Sequence, residues 1–165
     1  SQPDMIGLIL IALLTTGDVK PATMPEIRVS FFQAATEIGQ REDFFEMMES
    51  MPKTSAIVKV YYGAAQAMMA EVVFNPYTKL NHFVEGKNFI EEAIAERPEE
   101  AELRYVRYLI QSNAPDFLDY NKEIPDDLKF IYAAIEQANE KESWMFQFLE
   151  YRSLQKATLE ANGKS

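Results

Sequence analysis

The chain has 165 residues, 47% hydrophobic and 12% aromatic, which suits one globular core and is too apolar for a disordered polymer. A formal net charge of −10 argues against nucleic acid and against an anionic membrane surface as partners, because both demand cations. There is no cysteine, which removes disulfides, thiolate metal sites and cysteine nucleophiles.

Residues 5–14 (MIGLILIALL) are a continuous apolar run. It is shorter than the ~20 residues a membrane-spanning helix needs, so no integral membrane span is expected. Two readings stay open. One is the apolar centre of a secretory signal, with Thr15, Thr16 and Gly17 as small residues near a cleavage point, although Asp4 stands where a basic segment is expected. The other is an N-terminal helix packed on the core. Residues 17–25 (GDVKPATMP) read as a linker. The expected organisation is therefore an apolar segment with its linker over 1–24 and a helical domain over 25–162.

Pro25 suits the first position of a helix, where its missing N–H costs nothing. Ile27, Phe31, Ala34, Ala35 and Ile38 predict its buried face, and Gly39 its stop. A short helix from Glu42 follows, carrying Phe44, Phe45, Met47, Met48 and Met51 and ending at Pro52. Thr54 or Ser55 caps the next helix. There, Ile57, Tyr61, Ala65, Met68 and Val72 share a face, and Gly63 predicts the close approach of another backbone, since a mid-helix glycine costs about 1 kcal/mol relative to alanine. Asn75-Pro76 breaks this helix. The following one starts near Thr78, with Leu80, Phe83, Gly86, Ile90, Ala93 and Ile94 at helical spacing, and stops at Pro98.

Glu99 and Glu100 open a further helix, suited to its positive end. Its core stripe is Leu103, Val106 and Ile110, flanked by Tyr105, Tyr108 and Leu109, and Pro115 closes it. Phe117 and Tyr120 in the loop 116–123 are expected to fold down as plugs. Pro125, Asp126 and Asp127 begin a helix bearing Leu128, Ile131, Tyr132, Ile135 and Ala138. The last helix, over 141–161, carries Trp144, Phe148, Tyr151 and Leu154 or Gln155. The expectation is an all-α fold of about seven helices in stacked antiparallel hairpins, each pair needing neighbours to bury its second face.

Within 61–98, Tyr62-Gly63, then Gly86, Ile90, Ala93 and Pro98, resemble the two helices of a tetratricopeptide repeat, and the Pro98 to Glu102 stretch resembles the junction to the next. Against the ordinary repeat of about 34 residues, roughly ten extra lie between these helices. The chain is also similar to small exported proteins of Bacteroidetes through NPYTKLNHFVEGKNFIEEAI and LRYVRYLIQSNAPDFLDYNKEI. These resemblances imply a right-handed α-solenoid and a periplasmic or cell-envelope location (the alternative being cytoplasmic), and they imply no chemistry.

The sole histidine, His82, stands three residues from Glu85, but two ligands do not complete a metal site. Adjacent acids such as Glu91-Glu92 diverge around a helix and make no catalytic pair. No Gly-rich phosphate loop, GxSxG elbow or HExxH pair is present. No catalytic residue, cofactor or metal is therefore assigned. Arg104 and Arg107, flanked by Tyr108, are the best recognition candidates, with Lys87 and Asn88 able to face the same groove and bind a carboxylate or peptide terminus. The structural alternative is a Glu100–Arg104 pair within the helix, with Arg107 paired to a nearby acid. The methionines at 47, 48, 51, 68 and 69 are either core filler or an adaptable groove. The function expected is a non-catalytic helical scaffold binding a protein or peptide. The alternatives are a small-molecule binder or enzyme with a pocket near Arg104, Arg107 and the DFLDYN loop, and a self-associating structural subunit.

Overall fold

A computed structural model describes residues 20–163. The apolar run 5–14 and most of the linker lie outside the described residues. The described chain is all-α: α1 Met24–Thr36, α2 Arg41–Glu49, α3 Ala56–Met69, α4 Pro76–Glu96, α5 Ala101–Asn113, α6 Ile124–Gln137 and α7 Ser143–Asn162, with 3-10 turns at Ile38–Gln40 and Asp116–Leu118.

Local chemistry sets the boundaries. The Thr23 backbone N–H and hydroxyl both donate to Glu26 Oε2, at 2.7 and 3.0 Å, which ties down the start of α1. Ser55, rather than Thr54, caps α3 by accepting from the Val58 N–H. Asn75 Oδ1 accepts from the N–H groups of Tyr77 and Thr78, at 2.9 and 3.1 Å, and Pro76 takes the first turn of α4. α4 thus begins two residues before the expected start and runs for 21 residues. Only residues 70–75 separate it from α3, so much of the extra length read between the two helices is helix. α1 ends at Thr36, short of Gly39, and Ile38 is exposed in the following turn instead of joining the buried face.

α3 is the centre of the molecule. Twelve of its residues are buried, running almost all the way round it. It packs antiparallel to α4, as the pairings of Lys59 with Glu92 and of Gln66 with His82 require. The expected close approach at Gly63 is present: a Cβ there would lie 2.6 Å from Gly86 O. A Cβ on Gly86 would lie 2.5 Å from Gly63 O and 2.6 Å from Ala67 N. Two backbones meet here, and only paired glycines permit it.

α1, α3, α5 and α7 touch in succession, and α7 also meets α1. α2 packs on α1 and α3, α4 on α3 and α5, and α6 on α5. The space inside the odd-numbered helices is filled by rings. Phe31 meets Tyr61 at 5.2 Å and Tyr105 at 5.8 Å, while Tyr105 meets Trp144 at 5.7 Å. Phe148 meets Tyr108 at 5.7 Å, and such edge-on pairs add to simple burial. One ion pair is sealed into this layer. Arg28 grips Glu102 through Nε and Nη2, at 2.7 and 3.0 Å, and the Tyr61 hydroxyl donates to Glu102 Oε1 at 2.7 Å. On α7, Trp144, Met145, Phe148 and Tyr151 are buried, while Phe146 and Leu154 face solvent. Among the described residues no helix is long and apolar enough to cross a membrane.

Candidate functional site

Arg104 and Arg107 point into the α5–α6 junction. Arg107 donates through Nε and Nη2 to Asp127 Oδ2 and Oδ1, both at 2.7 Å, and through Nη1 to Glu91 at 2.8 Å. Arg104 donates to Asp127 Oδ1 at 3.1 Å and to Pro98 O at 3.4 Å, with its guanidinium 4.4 Å from the centre of the Phe130 ring. Asp127 is fully buried and Arg107 is 5% exposed. The structural alternative holds for Arg107, which pairs with nearby acids, and is corrected for Arg104, which pairs with Asp127 and not with Glu100; Glu100 instead lies 3.9 Å from Arg97. Burial opposes the charge of Arg107, yet the bonds to Asp127 and the nearby Glu91 outweigh it and push its pKa above the ordinary arginine value.

The network extends outward. The Tyr120 hydroxyl donates to Glu91 at 2.8 Å, and burial with the neighbouring Glu91 charge pushes its pKa well up. Gln111 donates to Glu123 at 2.6 Å. Burial raises Glu123, but that bond and the charges of Arg107 and Lys87 leave it below the ordinary carboxylate value. Lys87 lies 5.0 Å from the centre of the Tyr120 ring, at the edge of this cluster. Asn88 faces away from it, on an exposed strip of α4 with Glu85 and Glu92. Tyr108 is buried against α7, where its hydroxyl donates to Gln155 at 2.7 Å and accepts from Arg152 at 2.9 Å. Of the five recognition candidates, the fold gathers Arg104, Arg107 and Lys87 around one network, and leaves Asn88 and Tyr108 outside it. Arg104 Nε and Gln111 Oε1 are buried with no hydrogen-bond partner among the described residues.

His82 and Glu85 are joined through α3. His82 Nδ1 lies 2.6 Å from Gln66 Oε1, Gln66 Nε2 donates to Tyr62 Oη at 2.7 Å, and Tyr62 donates to Glu85 at 3.3 Å. Among the described residues no group of three or more histidine or acid side chains is placed to hold a metal.

An apolar concavity lies elsewhere, where α1, α3 and α5 end and α2 and α4 begin. A partly enclosed pocket of about 360 Å³ is walled by Ala67, Met68, Phe83, Leu109, Ile110 and Leu118. Its polar lining is Arg41, Glu71, Lys79 and Asn113. Arg41 donates to Ala34 O at 3.1 Å and to Glu71 at 2.6 Å, Lys79 to Ala70 O at 3.2 Å, and Asn113 to Leu109 O and Tyr151 Oη, each at 2.7 Å. Phe117 and Leu80 also line it, yet they are 84% and 53% exposed. Phe74 and Tyr77, 95% and 81% exposed, flank Asn75 and the pocket-lining Pro76. Two sequence expectations are corrected here. Leu80 is not core, because α4 begins beyond the body it packs on. Of the two loop plugs only Tyr120 is buried, since the turn at Asp116–Leu118 turns Phe117 outward.

Sequence reasoning assigned Leu80 and Phe117 to the interior and so missed this lip. Two motifs carry it, NPYTKL and NAPDFL, each a proline break followed by a large apolar residue. Comparison of the chain with protein-family models, curated proteins and solved structures gives no match.

Proposed function

We propose that this protein is a non-catalytic, tetratricopeptide-like helical module that binds a protein or peptide partner at the end face formed by Phe74, Tyr77, Leu80 and Phe117. The carrying observation is that Leu80 and Phe117 line one apolar hollow while largely exposed, with Phe74 and Tyr77, also exposed, next to the pocket-lining Pro76 in the chain. Exposed apolar patches of this kind mark interaction surfaces more often than scattered exposed residues do. The succession α1, α3, α5 supports the repeat-like reading, while the α1–α7 contact closes the set as a bundle. The filled interior moves the recognition surface from the expected inner groove to the end of the stack. The non-catalytic reading draws support from the buried charges: Glu102, Asp127 and Arg107 are each held by partners of opposite sign within the fold. A place in the cell envelope is supported by the apolar run at 5–14, whose length is that of a signal core.

The test is site-specific cross-linking in the native host. A photoreactive phenylalanine at position 117 is compared with one at position 146, which is exposed on α7 and outside the pocket. One partner polypeptide joined through 117 and absent through 146 is the expected result. Equal yields at both positions, or joining only to a second copy of the chain, would overturn the reading.

A further inference from the structure

The pocket has a charge character of its own. Two of its lining residues, Arg41 and Lys79, are cationic, and one, Glu71, is acidic. Lys79 has three N–H donors and uses one, on Ala70 O at 3.2 Å. Arg41 uses Nε on Ala34 O and Nη1 on Glu71, and no hydrogen bond within the described residues ends on its Nη2. Its side chain is only 10% exposed, whereas the Glu71 side chain that answers it is 46% exposed. An almost buried cation thus has a half-solvated counter-charge, with donors to spare beside it, at the edge of an apolar cavity. The lining carries net charge +1 in a chain of net charge −10. A nearly buried guanidinium with a partly exposed ammonium beside it favours one further anion there, because attraction strengthens as water is excluded.

The volume sets the size of the apolar part. Taking the ~30 Å³ that a water molecule occupies in the liquid as the unit, the pocket holds roughly a dozen atoms of methylene size. We propose that it binds a medium-chain carboxylate: an unbranched aliphatic chain of about ten carbons against the walls, with its carboxylate on Lys79 and Arg41. This goes beyond the partner reading and needs only the pocket, so titration and cross-linking can fail separately.

The experiment is calorimetric titration of the full chain at neutral pH with hexanoate, octanoate and decanoate, and with decanol and decylammonium. Affinity is expected to rise up to about fourfold per methylene, the equivalent of ~0.8 kcal/mol for one buried CH₂, and to level off once the cavity is full. Decanol is expected to bind about tenfold more weakly than decanoate for want of the charge-assisted bonds, and decylammonium more weakly still. Lys79→Gln should weaken decanoate about tenfold and leave decanol unchanged. Ala114→Trp, which fills the cavity, should abolish both. Lys79→Gln changes a half-exposed side chain and stays informative even if the tryptophan variant misfolds. No saturable binding of decanoate, equal binding of decanol or decylammonium, or an unaffected Lys79→Gln would each overturn the proposal.

Discussion

Asp127→Asn separates a structural role of the arginine pair from a recognition role. The wild-type carboxylate has no exposure and accepts three charge-assisted bonds, two at 2.7 Å from Arg107 and one at 3.1 Å from Arg104. The amide keeps the shape but removes the charge, and one of its two polar atoms then presents N–H groups to guanidinium donors. Arg107 retains as its only anionic partner Glu91, whose side chain is 38% exposed and already accepts from Tyr120. Removing one partner of a buried pair costs about 3–5 kcal/mol, against a total domain stability of about 5–15 kcal/mol. At roughly 2–4 °C per kcal/mol for a chain of this size, Tm should fall by about 6–20 °C. Urea denaturation followed by far-UV circular dichroism measures the cost, which should appear in the midpoint with the slope unchanged. The double variant Arg107→Leu, Asp127→Leu should be less destabilised than Asp127→Asn, because it removes the two most buried charges and leaves unpaired Arg104, whose side chain is 20% exposed and keeps Pro98 O as a partner. A cost below about 1 kcal/mol for Asp127→Asn would refute this account and return the arginines to the surface role the sequence suggested.

The remaining expectations can be checked on the same material. Gly63→Ala should destabilise by about 1–3 kcal/mol despite its gain in helix propensity, because the new Cβ meets backbone at 2.6 Å. Gly39→Ala, with no atom within 4 Å of its Cβ, should be neutral or stabilising by up to ~1 kcal/mol. Equal effects of the two in thermal melts would contradict the glycine contact. Phe117→Ser should leave Tm within a degree or two, since the ring is already in water, while reducing the binding of an apolar fluorescent dye; a large loss of stability would mean that the ring is buried after all. Glu92 lies below its ordinary carboxylate value of 4.5 because it accepts a hydrogen bond from Lys59. Its contribution is therefore present above pH 4.5 and lost as pH falls through the lowered value. Wild type and Glu92→Gln should differ in Tm at pH 7 and converge in acid, and a difference that persisted at low pH would argue against the assignment.

Much of the fold could be read from local chemistry. Gly63, costly within a helix, points to the close approach of another backbone, and the backbone it meets is that of Gly86. Asn75-Pro76 marked a boundary, though it opens α4 instead of trailing α3, because the Asn75 side chain caps the helix that follows. Leu80 and Phe83 look equivalent by spacing. Only the length of α4 relative to its neighbours decides that Phe83 is covered and Leu80 is not. Phe117 and Tyr120 share a loop, but only Tyr120 meets distant partners: the Phe83 ring and Glu91, 29 residues before it. Asp127 reads in sequence as an ordinary acid in the first turn of α6. Its capture by two arginines of the preceding helix is a tertiary event that no local pattern encodes. α5 follows the same logic. Its pattern gives a stripe, while the structure buries nine of its residues, including Glu102, Arg107 and Gln111, because neighbours supply each with a partner.

These internal partners bear on where binding can occur. Odd-numbered helices arranged in succession would ordinarily offer an inner surface, but here Phe31, Tyr61, Tyr105, Trp144 and Phe148 occupy it, with Glu102 locked to Arg28 and Tyr61. Opening that layer for a ligand would break edge-on ring pairs worth about 0.5–1.5 kcal/mol each and strand a buried carboxylate, a cost few weak partners could offset. The end face requires no such opening. Phe117, Leu80, Tyr77 and Phe74 are already in water, so covering them returns apolar area at about 25 cal/mol per Å² without first disrupting the core. Lys79 and Arg41 lie beside this surface with donor capacity left over. The two proline breaks that interrupt the helical pattern, before Tyr77 and before Asp116, are therefore the features that bring large apolar side chains out of an otherwise filled bundle.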